Sequence, residues 1–167
     1  MSTLYLMCGA PFSGKTTLAQ ALASKTESQY LSLGDMMRQR GLDLSQAQPV
    51  EEWEKTHQIC LQRMDALMHE QVSIALDDTN NLRWLRERFR HLALQHQYHV
   101  VIIFLNIPLG ELERRRKQVL FSKERNSLPD EVFYAVIEHF EKPDQDEQTL
   151  IFDGTLDMNE WIEKHIA

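Results

Sequence analysis

The feature that most constrains this chain is the segment Gly9–Thr16, which reads GAPFSGKT. It matches the pattern G-x-x-x-x-G-K-[ST], follows a short apolar run, and precedes a segment in which apolar residues recur at helical spacing. In such a turn the backbone N–H groups point inward, and the N-terminus of the next helix adds partial positive charge. The segment therefore predicts a site for the phosphates of a nucleoside triphosphate.

Individual positions of this loop have expected roles. The Lys15 ammonium group is expected to reach the β and γ phosphates of ATP, and the Thr16 hydroxyl is expected to bind Mg²⁺. The predicted nucleotide-binding residues are Gly9, Ala10, Pro11, Phe12, Ser13, Gly14, Lys15, Thr16 and Thr17. The loop alone leaves open whether the phosphate passes to a small molecule, a nucleic acid, a protein or water.

Apolar runs that are typical of buried strands alternate with helical segments along the chain. The five runs cover residues 3–8, 30–33, 72–76, 99–105 and 149–153. This alternation predicts an α/β fold, a three-layer α/β/α sandwich with a five-stranded parallel sheet, in a single domain over residues 1–167. Ligands of such sheets bind at the carboxyl ends of the strands.

Helix caps and apolar stripes add local detail. Asn80 or Asn81 is expected to cap the helix after the third run, and Asp157 to cap the closing helix. Trp53 and Trp161 lie on apolar helix stripes. That placement favours core positions for both rings over a role as base-stacking platforms.

Two carboxylates, Asp77 and Asp78, stand at the end of the third apolar run. Beside a phosphate loop, an acid at such a position holds the Mg²⁺ shell. Consecutive strand residues point to opposite faces, so both carboxylates need not serve. The alternative is that one of them caps the next helix.

Asp35 and Arg38 follow the second apolar run, in GDMMR. Asp35 is placed to accept a proton from an incoming hydroxyl, since positioning the nucleophile is the larger task in phosphoryl transfer. Arg38, one helical turn further on, is expected beside Asp35 or on an acceptor phosphate. The alternative is an N-cap aspartate with an exposed partner three residues later.

A basic segment follows the fourth apolar run. Its charged residues are Arg114, Arg115, Arg116, Lys117, Lys123 and Arg125. Phosphoryl transfer needs positive charge over the γ-phosphate, and a mobile basic lid over roughly residues 110–130 supplies it while excluding water. Consecutive basic residues cannot all point to one site, so one or two are expected in the site and the rest on the surface.

Charge and cysteine content disfavour several classes of protein. The formal net charge is −7, and the chain has two cysteines among 167 residues. Binding of nucleic acid through bulk charge is therefore not favoured, and a reducing compartment is indicated. The N-terminal apolar run is too short for a signal peptide or a membrane span, so a cytoplasmic location is expected.

Taken together, the motifs resemble the P-loop kinases related to the 5′-kinase domain of phage polynucleotide kinase, to zeta toxins and to small antibiotic phosphotransferases. The resemblance rests on the phosphate loop, GDMMR, DDTNNLRWLR, VVIIFLNIPLGELERRR and RNSLPDEVFYAVIEHFEKPDQDE, and covers almost the whole chain. It implies a general-base role for Asp35 and an active-site or acceptor-phosphate role for Arg38. It also implies a helical lid with arginines over the γ-phosphate, a role assigned here to Arg116 and Arg125.

The same segments, apart from the loop, resemble the kinases that phosphorylate seryl-tRNA for selenocysteine. Those proteins usually carry an additional RNA-binding region, and this chain ends soon after its closing helix. A tRNA substrate is therefore not favoured. The lid also departs from the family pattern, since RRRKQ lacks the expected asparagine.

These observations lead to one main hypothesis. The chain is expected to be an ATP-dependent kinase that transfers the γ-phosphate to a hydroxyl-bearing acceptor, which is a small molecule, a nucleotide or a nucleic acid. The alternatives are an RNA- or tRNA-directed kinase and an ATPase switch without an acceptor. Acceptor specificity is expected in the segment GLDLSQAQP, residues 41–49.

Overall fold

The computed structural model describes residues 1–122 and 128–166. Within these residues, five strands pair in parallel in one sheet, in the order β2-β3-β1-β4-β5. The strands are β1 (Thr3–Gly9), β2 (Gln29–Ser32), β3 (Ile74–Asp77), β4 (His99–Leu105) and β5 (Thr149–Phe152). The predicted five-stranded parallel sheet is confirmed.

Helices connect the strands and cover both faces of the sheet. Within the described ranges they are α1 (Lys15–Thr26), α2 (Leu33–Gln39), α3 (Val50–His69), α4 (Arg83–Gln95), α5 (Leu109–Ser122), α6 (Asp130–Glu138) and α7 (Met158–His165). In the part of the chain that the structure describes, no helix combines the length and apolar character needed to cross a membrane.

Successive residues of β1 point to opposite faces of the sheet and enter two separate core clusters. Leu4, Leu6 and Cys8 pack in the cluster that α3 and α4 cover. Met7 packs in the other cluster, which α1 and α7 cover. Both faces of the sheet are therefore apolar and buried, which produces the predicted three layers.

The predicted helix caps have different outcomes. Asp157 caps α7, because its Oδ1 accepts a hydrogen bond at 2.9 Å from a backbone N–H of the first turn. The prediction that Asn80 or Asn81 caps α4 is wrong, since that helix begins at Arg83 without a side-chain cap. Asn80 is buried instead, with φ of 47°, and its Nδ2 donates to the carbonyl oxygen of Met7 at 2.8 Å.

A buried guanidinium group holds the turn that follows β3. Arg86 on α4 donates from Nη1 to the carbonyl oxygens of Asn80 and Glu141, at 2.8 and 2.9 Å. Its Nε and Nη2 donate to the two carboxylate oxygens of Glu147, at 2.9 and 3.1 Å. Both side chains of this ion pair are almost fully buried. Removing either charge therefore leaves the other uncompensated inside the protein.

Replacing Arg86 with alanine is expected to lower the free energy of unfolding by about 3–5 kcal/mol, because the Glu147 carboxylate stays buried without its partner. Urea unfolding followed by circular dichroism measures the loss. The matched control is Arg83→Ala, which removes a solvent-exposed pair with Asp146 and should lower the free energy of unfolding far less, because water screens an exposed ion pair. Equal losses in the two variants would contradict this account of the turn.

Candidate active site

The phosphate loop requires glycine at two positions. A Cβ atom on Gly9 would lie 2.7 Å from Ser13 Oγ and 3.2 Å from Leu105 Cβ, so the close approach depends on the missing side chain. Gly14 has φ of 98°, in the left-handed region that glycine adopts at no steric cost. The tight turn ends there, and α1 begins at Lys15 with its first backbone N–H groups free of intrahelical partners.

Lys15 is the cation of this loop. Its Nζ donates to the carbonyl oxygen of Ala10 at 2.8 Å. Burial lowers the pKa of Lys15, and the carboxylates of Asp77 and Asp78 oppose that shift. The Ser13 hydroxyl is buried and has no hydrogen-bond partner among the described residues. An unpaired donor, a half-buried cation and a helix N-terminus together fit a phosphate group.

The Asp77 carboxylate lies against the hydroxyl of Thr16. Thr16 Oγ1 donates to Asp77 Oδ2 at 2.6 Å, and the Tyr30 hydroxyl donates to the same oxygen at 2.8 Å. A hydroxyl and a carboxylate in contact offer the hard oxygen ligands that Mg²⁺ prefers. The donor set therefore fits this cation.

The neighbouring carboxyl group, that of Asp78, faces α3. Its Oδ2 lies 4.0 Å from His57 Nε2, and the His57 ring stacks on Phe89 with centroids 5.4 Å apart. Burial raises the pKa of Asp78, although His57 acts in the opposite direction. Burial also lowers the pKa of His57. The protein interior thus favours the neutral form of each group.

Asp35 lies in the first turn of α2, directly after β2 ends. Ser32 caps this helix, because its Oγ accepts from the Asp35 backbone N–H at 3.1 Å. The alternative that Asp35 is the N-cap is therefore wrong. Arg38 Nη1 donates to Asp35 Oδ1 at 2.9 Å, and both side chains are about half exposed. The expected pairing of Asp35 with Arg38 is present.

One cleft of about 660 Å³ joins these groups at the carboxyl ends of β1, β2 and β3. The predicted site residues that line it are Pro11, Phe12, Lys15, Thr16, Asp35, Arg38, Asp77 and Asp78. Thr17 lies on the exposed side of α1. The structure thus brings the phosphate loop, the acidic end of β3 and the Asp35–Arg38 pair to one concave surface.

Two arginines of α5 make different contacts. Arg115 Nη1 donates to the carbonyl oxygen of Phe12, inside the phosphate loop, at 3.1 Å. Arg116 is buried and pairs with Asp130 at the start of α6. Arg115 therefore contacts the loop, whereas Arg116 connects α5 to α6. Arg125 lies outside the described residues.

Sequence reasoning assigned no site role to Tyr30 or Trp53, and it did not select Arg115 from the basic segment. The core prediction is wrong for Trp53, whose half-buried side chain lines the cleft. It is confirmed for Trp161, which is 3% exposed. The stripe of α3 reaches the cleft at its first turn, and periodicity identifies a helix face without indicating where the covering elements end. For Tyr30, the sequence offered one signal of a role at the site: its position in a strand that ends there.

Comparisons with known proteins agree with this architecture. A family model described as an AAA domain matches residues 4–143. The sugar kinase of Janibacter sp. HTCC2649 has a TM-score of 0.73 and 18% identity, over 98% of this chain and 91% of that one. Kti12 of Chaetomium thermophilum, solved with ADP-AlF3, has a TM-score of 0.73 and 17% identity, over 96% of each chain.

A third structure is the APS kinase CysC of Mycobacterium tuberculosis, solved with AMPPNP and APS. It has a TM-score of 0.70 and 16% identity, over 98% of this chain and 94% of that one. At such identities the likeness shows the fold, and it confirms the predicted P-loop sandwich. No curated protein sequence matches the chain.

Replacing Asp78 with asparagine is expected to stabilise the free protein. Because the pKa of Asp78 is raised, its carboxyl group contributes stability that is fully present below its unfolded pKa and is lost as pH rises through its folded pKa. The Tm of Asp78→Asn should therefore exceed that of the wild type at about pH 8 and approach it near about pH 4. Each kcal/mol gained raises the Tm by about 2–4 °C.

Calorimetry without nucleotide or Mg²⁺ measures this difference. Asp77→Asn is the matched control, because that substitution disturbs the hydrogen bonds from Thr16 and Tyr30 and should give no gain in Tm. A lower Tm for Asp78→Asn than for the wild type at alkaline pH would refute the assignment of a buried carboxyl group.

Proposed function

The chain belongs to the AAA domain family, and we propose that it is an ATP-dependent phosphotransferase that moves the γ-phosphate of ATP to a hydroxyl group. One observation carries this proposal: one cleft is lined both by Lys15 and Thr16 and by the Asp35–Arg38 pair. A nucleotide switch needs only the first set. The second set provides a place and a proton acceptor for an incoming hydroxyl.

The donor half of the site consists of the phosphate loop and the end of β3. Residues 9–17 hold the phosphates of ATP, with the Lys15 ammonium on the β and γ phosphates. Thr16 and Asp77, already in contact, hold Mg²⁺, with Asp78 as the further candidate carboxylate. When bound, Mg²⁺ supplies positive charge that offsets the negative charge developing on the phosphate oxygens.

Asp35 carries out the proton transfer in the acceptor half. Its carboxylate accepts the proton of the acceptor hydroxyl as that oxygen bonds to the γ-phosphorus. The bond from phosphorus to the bridging β–γ oxygen breaks, and ADP leaves with that electron pair. Arg38, bonded to Asp35 Oδ1, orients the carboxylate for this role.

The segment over about residues 110–130 acts as the lid of this single domain. Arg115 is our first candidate for the cation over the γ-phosphate, because its guanidinium already contacts the phosphate loop. Arg116 supports the lid through its pairing with Asp130. Arg125, assigned from the sequence, is the second candidate for contact with the γ-phosphate.

A small-molecule acceptor is favoured over a nucleic acid. Among the described residues that line the cleft, the cations are Lys15 and Arg38. Binding of a polynucleotide needs a basic track that follows its backbone. The sugar kinase and the APS kinase among the structural neighbours support phosphoryl transfer to a small substrate. Strict dependence of ATP turnover on an acceptor separates this proposal from an ATPase switch.

Asp35→Asn is expected to lower kcat for transfer by about 10²-fold or more while leaving the Kd for ATP nearly unchanged, because Asp35 is not part of the phosphate loop. Lys15→Ala should abolish both transfer and tight ATP binding. Transfer from labelled ATP and calorimetric titration with a non-hydrolysable ATP analogue measure the two properties. Undiminished turnover by Lys15→Ala would overturn the donor assignment.

Arg115→Ala is expected to reduce kcat by about 10²–10³-fold, the usual effect of removing one donor from developing charge. The matched control is Arg114→Ala on the same helix, since Arg114 is exposed and its ion-pair partner among the described residues is Glu111, one turn away. Steady-state kinetics of transfer compare the two variants. An Arg114→Ala defect as large as that of Arg115→Ala would count against a specific contact with the γ-phosphate.

A further inference from the structure

Three side chains that can bind a metal ion meet far from the cleft. Asp65 and His69 belong to the last turns of α3, and His96 is the C-cap of α4. One potential ligand atom from each residue lies within 4.8 Å of those from the other two. Trp53 of the cleft lies in the first turn of α3 and His69 is its last residue, and a helix of 20 residues spans about 30 Å. The cluster is therefore distinct from the phosphate-binding cleft.

Asp65 and His69 face the same side of α3, because residues four positions apart are neighbours on a helix surface. His69 Nδ1 donates to the carbonyl oxygen of Asp65 at 2.8 Å and lies 3.6 Å from Asp65 Oδ2. This hydrogen bond orients the imidazole ring and leaves the lone pair of Nε2 free. A spacing of four residues is also the one by which a helix supplies two ligands to one zinc ion.

His96 brings a third ligand from a different helix. Its Nε2 lies 2.8 Å from Asp65 Oδ1, and its ring meets the His69 ring edge to face, with centroids 4.6 Å apart. The His96 side chain is only 15% exposed, so packing holds its ring in position, whereas the His69 side chain is 69% exposed. The cluster is thus anchored on one side and open to solvent on the other, so an ion can enter it directly.

The Asp65 carboxylate has no arginine or lysine partner among the residues that the structure describes. Its ion-pair contacts there are the two imidazole rings. By contrast, Glu54 on the same helix pairs with Arg88. Imidazole in its neutral form, the form that binds metal ions, does not balance a carboxylate charge. A divalent cation bound by all three groups does balance it.

The donor set selects the kind of ion. Two imidazole nitrogens and one carboxylate oxygen suit zinc and its neighbours in the first transition series, whereas Mg²⁺ prefers oxygen ligands. Ligand atoms about 2.0–2.2 Å from a tetrahedral ion lie about 3.3 Å from one another. The observed contacts of 2.8 and 3.6 Å fall on either side of this value. Rotation of the exposed His69 side chain closes the remaining distance.

We propose that Asp65, His69 and His96 form a binding site for a divalent transition-metal ion, with zinc as the expected occupant and water in the fourth position. The ion takes the place of the hydrogen between His96 Nε2 and Asp65 Oδ1, and that hydrogen moves to Nδ1 of the ring or to solvent. The bound ion joins the C-terminal ends of α3 and α4, and so stabilises the folded state. This site is independent of the phosphotransfer proposed above.

Calorimetric titration of the untagged full chain with ZnCl₂ tests the site. The buffer contains excess Mg²⁺, which competes for the oxygen ligands Thr16 and Asp77, and no nucleotide. The ligand variants are Asp65→Asn and His69→Ala. The matched control is His91→Ala, because His91 is an exposed histidine of α4 whose ring contacts Gln95.

The wild type is expected to bind one Zn²⁺ per chain, and its Tm should rise as Zn²⁺ is added. Each ligand variant should raise the Kd for Zn²⁺ about tenfold or more, since loss of a hydrogen bond to a metal ligand alone typically costs that much. The zinc-dependent rise in Tm should shrink in the same variants, and His91→Ala should match the wild type. Co²⁺ gives a second readout, because its visible absorption intensifies in a four-coordinate protein site.

Other results refute the site. Equal Zn²⁺ affinity in the wild type and both ligand variants places the ion elsewhere, as does a loss in His91→Ala as large as that in His69→Ala. Failure of the wild type to bind one Zn²⁺ per chain, or to gain Tm with Zn²⁺, also contradicts the proposal. If Asp65→Asn fails to fold by circular dichroism, His69→Ala removes a largely exposed side chain and gives the same Kd and absorption readouts.

Discussion

The backbone N–H of Gly9 donates to the carbonyl oxygen of Thr79 at 3.0 Å, just beyond the parallel pairing of β1 with β3. Because β1 and β3 are parallel, both strands end at the same edge of the sheet. This hydrogen bond fixes the relative position of the two turns that follow them. Contact of Thr16 with Asp77 follows from that arrangement. The cleft therefore depends on the pairing of β1 with β3 at the centre of the sheet, where neither strand can shift without the other.

The charged groups of the cleft are held at some cost to the fold. Burial lowers the pKa of Lys15 and raises that of Asp78, so the protein disfavours the ionised form of each group without a ligand. Charges that interact in a partly dry site act more strongly on a bound phosphate than they would in water. Lys15 and Asp78 thus lower the stability of the free protein, but they are already in position when a ligand binds.

The sequence predicted the strand, turn and helix around the phosphate loop well, because such a loop imposes a fixed local geometry on these three elements. The parallel sheet was equally predictable from the buried runs. The roles of Trp53 and Arg115 could not be identified from the sequence. Helical periodicity assigned Trp53 to an inner face, but only the positions of α2 and α6 reveal that this face opens into a cleft. Adjacent arginines look alike in sequence, and their separation into loop contact and helix support depends on packing.

The apolar residues that line the cleft also have an evolutionary consequence. Leu44, Trp53 and Val136 belong to segments that do not form the phosphate loop or the end of β3. Substitutions there change the shape that an acceptor meets and leave Lys15, Thr16 and Asp77 in place. Under the proposed phosphotransfer, a lineage with this architecture can exchange one acceptor for another through a few side chains, while the phosphate loop and the end of β3 are inherited intact.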